Sequence, residues 1–171
     1  MQVLEESEAL ALSGPFPYTL VTSLDKNGGP NAMGVAWATR TSLEPFMIMI
    51  SIDHRRYSHE GIQMHKEFVL NYPSKAQAEA AWICGTRSGR DGDKIKIAGL
   101  KLVESTAVKV PTIEGSTVAF ECKVLNQFET GDHTVFVGEV VGTSGNPDKP
   151  KHLYVSSKHK LFGMSGNKSP D

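Results

Sequence analysis

Cysteine is scarce in this 171-residue chain: Cys84 and Cys122 are the only two, far apart and without C-x-x-C spacing. Neither a zinc ribbon nor a dithiol redox motif can be read from them, and both are expected to be reduced and buried. Charge of one sign is also missing. Eighteen Lys and Arg against 19 Asp and Glu leave a formal net charge of -1, which provides no basic face for nucleic acid. The mildly basic stretch 149–160 reads as solvated lysines. No apolar run approaches the length of a membrane span. The start, MQVLEESEALALSG, carries glutamates where a signal peptide needs basic residues before an apolar run. A soluble, cytoplasmic protein with neither nucleic-acid nor membrane partners is the expectation.

The familiar catalytic signatures are absent as well. His59-Glu60 begins like the zinc-protease helix motif, but Gln63 stands where the second histidine would be. No other histidine pair has ligand spacing, so no metal site is expected. There is no G-x-S-x-G elbow, no Walker loop and no G-x-G-x-x-G after a strand.

What is present is strand and turn chemistry. The length fits one domain over 1–171. Tyr18–Leu24, rich in β-branched and aromatic residues, runs into the turn sequence DKNGGP and reads as the first half of a hairpin. Residues 31–39, NAMGVAWAT, alternate as a strand, with Met33, Val35 and Trp37 on one face and Ala32, Gly34, Ala36 and Ala38 on the other. So bare a face admits either a closely packed helix or a flat ligand. Phe46–Ile52 is apolar throughout, as a central strand would be, and Glu67–Tyr72 is a further short strand. Ser74 and Gln77 have capping-box spacing ahead of an alanine-rich helix ending near Gly85. In 117–128, Val118, Phe120, Cys122 and Val124 alternate with a polar face of Glu121 and Lys123. With 133–143 this segment forms a long hairpin whose turn contains Gly131, able to take a positive φ. Many strands with few helices predict a mainly β protein, a closed or nearly closed antiparallel barrel with small α insertions.

Two loops carry anion-binding chemistry. Arg55 and Arg56 precede Ser58, placed to cap a helix running through Ile62 and His65, so charge and free N–H groups coincide. The plain alternative is a capped helix beside solvated arginines. The loop 86–94, TRSGRDGDK, repeats the arginines, lysine and hydroxyls. It reads either as a surface loop or as a second clamp on the same phosphate-bearing ligand. An aromatic ring system with a phosphate tail suits the combination.

The motifs NGGPNAMGVAWAT, SIDHRRYSHEGI, FVLNYP, CGTRSGRDGDKI followed by AGL, FEC and GDHTVFVGEVV occur in this order. Together they resemble the flavin reductase-like FMN-binding split barrels, with flavoredoxins as the nearest subgroup, over about 17–141. The resemblance implies a Greek-key split barrel, a homodimer with FMN near the subunit interface, and reduction by NADH or NADPH or another electron donor. It implies that Ala36, Trp37 and Ala38 border the flavin ring and that Ser51, Arg56, Tyr57 and Ser58 handle the ribityl and phosphate end. Asn71, Cys84, Ser88, Gly89, Asp93 and Lys94 would complete the pocket, and His133 would lie at the reactive side. Glu139 would be paired inside the barrel or across the dimer. Two segments depart from the pattern: Ile95-Lys96-Ile97, and the C-terminal part within 142–171.

Rival readings of the same site are an FMN-binding electron carrier or flavin store without its own NAD(P)H activity, and a related barrel that takes a pyridoxine phosphate or a deazaflavin. Electron donors and acceptors, small molecules or proteins, are the expected partners.

Overall fold

A computed structural model describes residues 2–148, 152–156 and 160–163. The rest of the 142–171 segment, including three lysines of the basic stretch (Lys149, Lys151 and Lys158), lies outside the described residues. The elements are α1 (Glu6–Leu12), β1 (Phe16–Pro17), β2 (Thr19–Leu24), β3 (Pro30–Val35), β4 (Ala38–Leu43), β5 (Phe46–Asp53), α2 (Tyr57–His65) and β6 (Glu67–Tyr72). After them come α3 (Ala78–Thr86), α4 (Lys94–Ile97), β7 (Leu102–Val103), β8 (Thr112–Ile113), β9 (Val118–Thr130), β10 (His133–Gly145), β11 (Leu153–Val155) and β12 (Leu161–Gly163). Among the described residues no helix is long and apolar enough to cross a membrane.

Seven strands form one antiparallel sheet in the order β3-β2-β6-β9-β10-β5-β4. The expected single strand over 31–39 is therefore two. Val35 pairs with Thr19 at one edge of the sheet, whereas Ala38 pairs with Ile50 at the other. Three residue steps reach only about 11 Å, so the sheet must curl until its two edges nearly meet. At the junction the Ser51 amide donates to the Trp37 carbonyl at 2.9 Å. The result is the mainly β split barrel expected from the sequence.

The barrel interior is filled by Val21, Val35, Ile48, Ile50, Ile52, Phe68, Leu70, Cys122 and Phe136, with Ile62 of α2 closing one end. Leu20 and Ala32 point the other way, against Ala81 and Cys84 of α3 and against Ile95, Ile113 and Leu153. Helix α3 thus covers the bare face of β3 at Ala32, the close-packing alternative. The Ser74–Gln77 capping box leads a short 3-10 turn into α3, with the Ser74 amide donating to Gln77 Oε1 at 2.9 Å. Cys84 and Cys122 are free and buried in separate clusters. Burial pushes the Cys122 thiol up to about 12.

The polar face expected of β9 holds only in part. Lys123 is exposed, but Glu121 is 1% exposed. Its carboxylate accepts from the amides of Thr106 at 3.0 Å and Ala107 at 2.6 Å. Segment 104–107 folds over the strand and replaces the water a polar face would meet. Glu139 sits half-buried opposite Lys123, without an ion pair among the described residues.

Candidate functional site

The ends of β3 and β5, the start of α2, the end of α3 and the β9–β10 turn converge on one cleft of about 1030 Å³. That is the upper end of the ~300–1,000 Å³ typical of small-molecule and cofactor sites.

At one end, the structure moves the expected helix cap. Arg56, in extended conformation, is the N-cap of α2, and Ser58 lies inside the first turn. Ser58 is turned inward, where its hydroxyl accepts from Asn31 Nδ2 at 2.6 Å. The first-turn amides of α2 therefore have no side-chain cap. The two arginines differ sharply. Arg55 is held by Asp53 through Nη2 to Oδ2 at 2.7 Å, and that bond holds the Asp53 carboxyl well below the usual carboxylate range. Arg56 has no carboxylate partner among the described residues and lines the cleft.

The 87–93 loop is fastened over this helix start. Arg90 donates to the Arg55 carbonyl at 3.0 Å and lies over the Tyr57 ring at 5.5 Å, while Tyr57 donates to Asp25 at 3.0 Å. A side chain on Gly89 would strike that ring, so the loop backbone sits directly against α2. Asp93 caps α4, accepting from the Lys96 amide at 3.0 Å. The cap begins the helical turn that carries Lys94. Lys94 is only 5% exposed, and its ammonium donates to the Cys84 and Arg87 carbonyls, each at 3.1 Å. Two of its three donors are used and no carboxylate lies within ion-pair distance of it among the described residues. Burial lowers its pKa; the neighbouring Cys84 opposes this, and the Arg56 charge, the smallest of the three influences, lowers it. Burial likewise pushes the Cys84 thiol up, so it is held as a neutral thiol.

At the other end, Ala36 and Trp37 form the link between the sheet edges. Trp37 is 58% exposed, with its ring 4.8 Å from that of His133 and tilted by 35°. His133 follows the tight turn at Gly131, where φ is +61°, and its Nδ1 is 2.6 Å from Asp132 Oδ1. That bond holds the Asp132 carboxyl below its ordinary range.

The cleft thus brings together Ala36, Trp37, Ser51, Arg56, Tyr57, Ser58, Cys84, Ser88, Lys94 and His133. Four expected residues are placed elsewhere. Ala38 pairs with Ile50 and packs against the barrel core. Asn71 is fully buried, donating to the Leu20 and Val69 carbonyls and accepting from the Ile113 amide at 3.0 Å, so its polar atoms are spent on bridging strands. Gly89 and Asp93 shape the loop from behind the wall. Tyr18, Gly34, Trp82 and Arg87 line the cleft without having been read as site residues. Asn31, also unread, fixes Ser58. Tyr18 and Trp82 look like ordinary strand and helix residues in the sequence, whereas Arg87 lay in the loop already singled out. Among the described residues no three His, Cys, Asp or Glu side chains are grouped to hold a metal.

An uncharacterized protein of Archaeoglobus fulgidus is 37% identical over 152 residues, covering 86% of this chain and 84% of the relative. A protein of Streptomyces globisporus described as an NADH-dependent FAD reductase is 27% identical, covering 87% and 81%. The solved structure of flavoredoxin from Desulfovibrio vulgaris superposes with a TM-score of 0.87 at 24% identity, covering 99% of this chain and 97% of that one. The model of the flavin reductase-like domain matches residues 12–162, and the chain belongs to that family.

Proposed function

We propose that the protein is an FMN-binding oxidoreductase that takes electrons from NADH or NADPH and passes them to an acceptor. The observation that carries the FMN assignment is the pair Arg56 and Lys94. Both are cations facing one cleft without a carboxylate partner among the described residues, beside uncapped helix amides. Like charges held this way repel each other, and a phosphate between them relieves the repulsion and takes the free donors. Ser88 and Tyr57 add polar groups to the same wall. The residues therefore fit a phosphorylated flavin better than riboflavin.

Bound FMN supplies the redox chemistry. The protein's part is to anchor the phosphate with Arg56, Lys94 and the α2 amides, to border the ring with the 36–37 link, and to hold His133 at the open side. A positive or N–H-donating group there favours electron density on the ring. The relative described as an NADH-dependent FAD reductase supports a reductase over a passive carrier. Association of two copies belongs to the same reading. A cytoplasmic location remains part of this reading.

The test compares FMN with riboflavin by titration calorimetry. Arg56→Ala is expected to weaken FMN roughly 10- to 100-fold, the scale of a charge-assisted hydrogen bond, and to leave riboflavin unchanged. Equal losses for both flavins would contradict the phosphate assignment.

A further inference from the structure

Beyond the phosphate-facing groups, the cleft wall contains a phenol that none of the interactions above uses. Tyr18 is half-buried and lines the cleft further along β3 from Asn31, toward Ala36 and Trp37. Its hydroxyl is lodged between Gly34 of β3 and Gly85 of α3. A Cβ on either glycine would lie 1.9 Å from the phenol oxygen. Both positions must therefore lack a side chain for the hydroxyl to be where it is. Among the described residues nothing accepts its proton, and the hydroxyl is not among the fully enclosed unpartnered atoms, so its O–H is free to donate into the cleft. Burial, with the neighbouring Cys84 thiol adding to it against a smaller opposing effect of Arg56, pushes its pKa up to about 12. The group is thus a proton-bearing donor throughout the working range of a protein.

We propose that Tyr18 is a ligand-binding residue at the ring end of the cleft, its O–H donating a hydrogen bond to the flavin ring from the slot between Gly34 and Gly85. The assignment rests on the flavin reading above. A donor selects its partner by chemistry: the acceptors of an isoalloxazine are its two carbonyl oxygens and its unprotonated ring nitrogens. On reduction one ring nitrogen takes up a proton and ceases to accept, while the carbonyl oxygens gain electron density. Tyr18 is assigned to a carbonyl oxygen, so its bond strengthens on reduction and it favours the reduced ring as well as binding it.

The experiment measures flavin affinity and the midpoint potential of the bound flavin in wild-type protein and in Tyr18→Phe, with thermal melting to confirm folding. Because the bond is to the ring, Tyr18→Phe is expected to weaken FMN and riboflavin alike, by roughly three- to tenfold, and to make the potential more negative. Gly85→Ala provides a second route. It is expected to weaken both flavins in the wild-type background, where the new methyl meets the hydroxyl, and to have little further effect in the Tyr18→Phe background. There the nearest remaining ring atom is 3.3 Å away. A folded Tyr18→Phe protein with unchanged affinities and potential would overturn the Tyr18 assignment and leave the flavin reading standing. Loss of FMN affinity without loss of riboflavin affinity would overturn the ring-end placement. Wild-type protein that binds neither flavin would overturn both readings.

Discussion

Glu121 and Lys94 are both buried ions, 1% and 5% exposed, and neither has an opposite charge in contact among the described residues. They are solvated by the chain in different ways. Glu121 is enclosed by segment 104–107, whose two amides and the Thr106 hydroxyl all point at its carboxylate. Lys94 rests on two carbonyls at the end of α3 and opens on the cleft, with Arg56 near enough to disfavour its charge. A buried ion whose hydrogen bonds are completed by the chain serves the fold, since the neighbouring amides lose their acceptors without it. A buried ion left with a spare donor and a like-charged neighbour keeps capacity for a partner from outside, which the proposed phosphate would fill. The same residue class thus separates into scaffold and site by what surrounds it.

The largest effect expected from breaking this contrast is on stability. Glu121→Ala strips the amides of Thr106 and Ala107 of their acceptor, and should cost about 3 kcal/mol in urea unfolding, with flavin affinity of the folded fraction retained. Lys94→Met should do the reverse. Stability should change by no more than about 1 kcal/mol, because burying the charge was itself unfavourable, while FMN affinity falls roughly 10- to 100-fold. Comparable losses of stability in both variants would erase the distinction.

The contrast sharpens with pH. Folding penalises the charged form of Lys94, so its folded pKa lies below the ordinary 10.5. Between those two values the unfolded chain binds more protons, and this residue's contribution to stability rises as pH climbs through the window. A phosphate favours the charged form, so FMN binding takes up a proton there and its affinity declines over the same rise in pH. Calorimetry in buffers of differing ionisation enthalpy should detect the uptake, and Lys94→Met should abolish it. The smallest binding effect belongs to His133→Ala. FMN affinity should stay within about twofold, since His133 is assigned to the reductant side and not to the phosphate, while stopped-flow reduction by NADH or NADPH slows. An unchanged reduction rate would leave His133 as a turn residue held by Asp132.

The sequence made the strands legible because strand alternation, turn residues and the Ser74–Gln77 box are local. It also singled out both loops that the structure brings to the cleft, since arginines, glycines and hydroxyls cluster within each. What it could not display was pairing across distance. Residues 31–39 have an unbroken alternation, yet the strand divides because Val35 and Ala38 find partners at opposite sheet edges. Ser58 has the composition of a cap, but Asn31 draws its hydroxyl inward. Asn71 sits in a family-like motif and spends its amide on the barrel. Tyr18 acquires its position only from Gly34 and Gly85, which belong to other elements.

The central claim is that one cleft, completed from outside by a phosphate-bearing flavin, is the working site. Gel filtration of the purified protein with added FMN, monitored at protein and flavin absorbance, tests it most directly. FMN co-eluting with the wild-type protein, and eluting free when Arg56 and Lys94 are replaced together by Arg56→Ala and Lys94→Met, is the predicted result. FMN co-eluting equally with the folded double variant would contradict it, because the flavin would then be held without the two cations assigned to its phosphate.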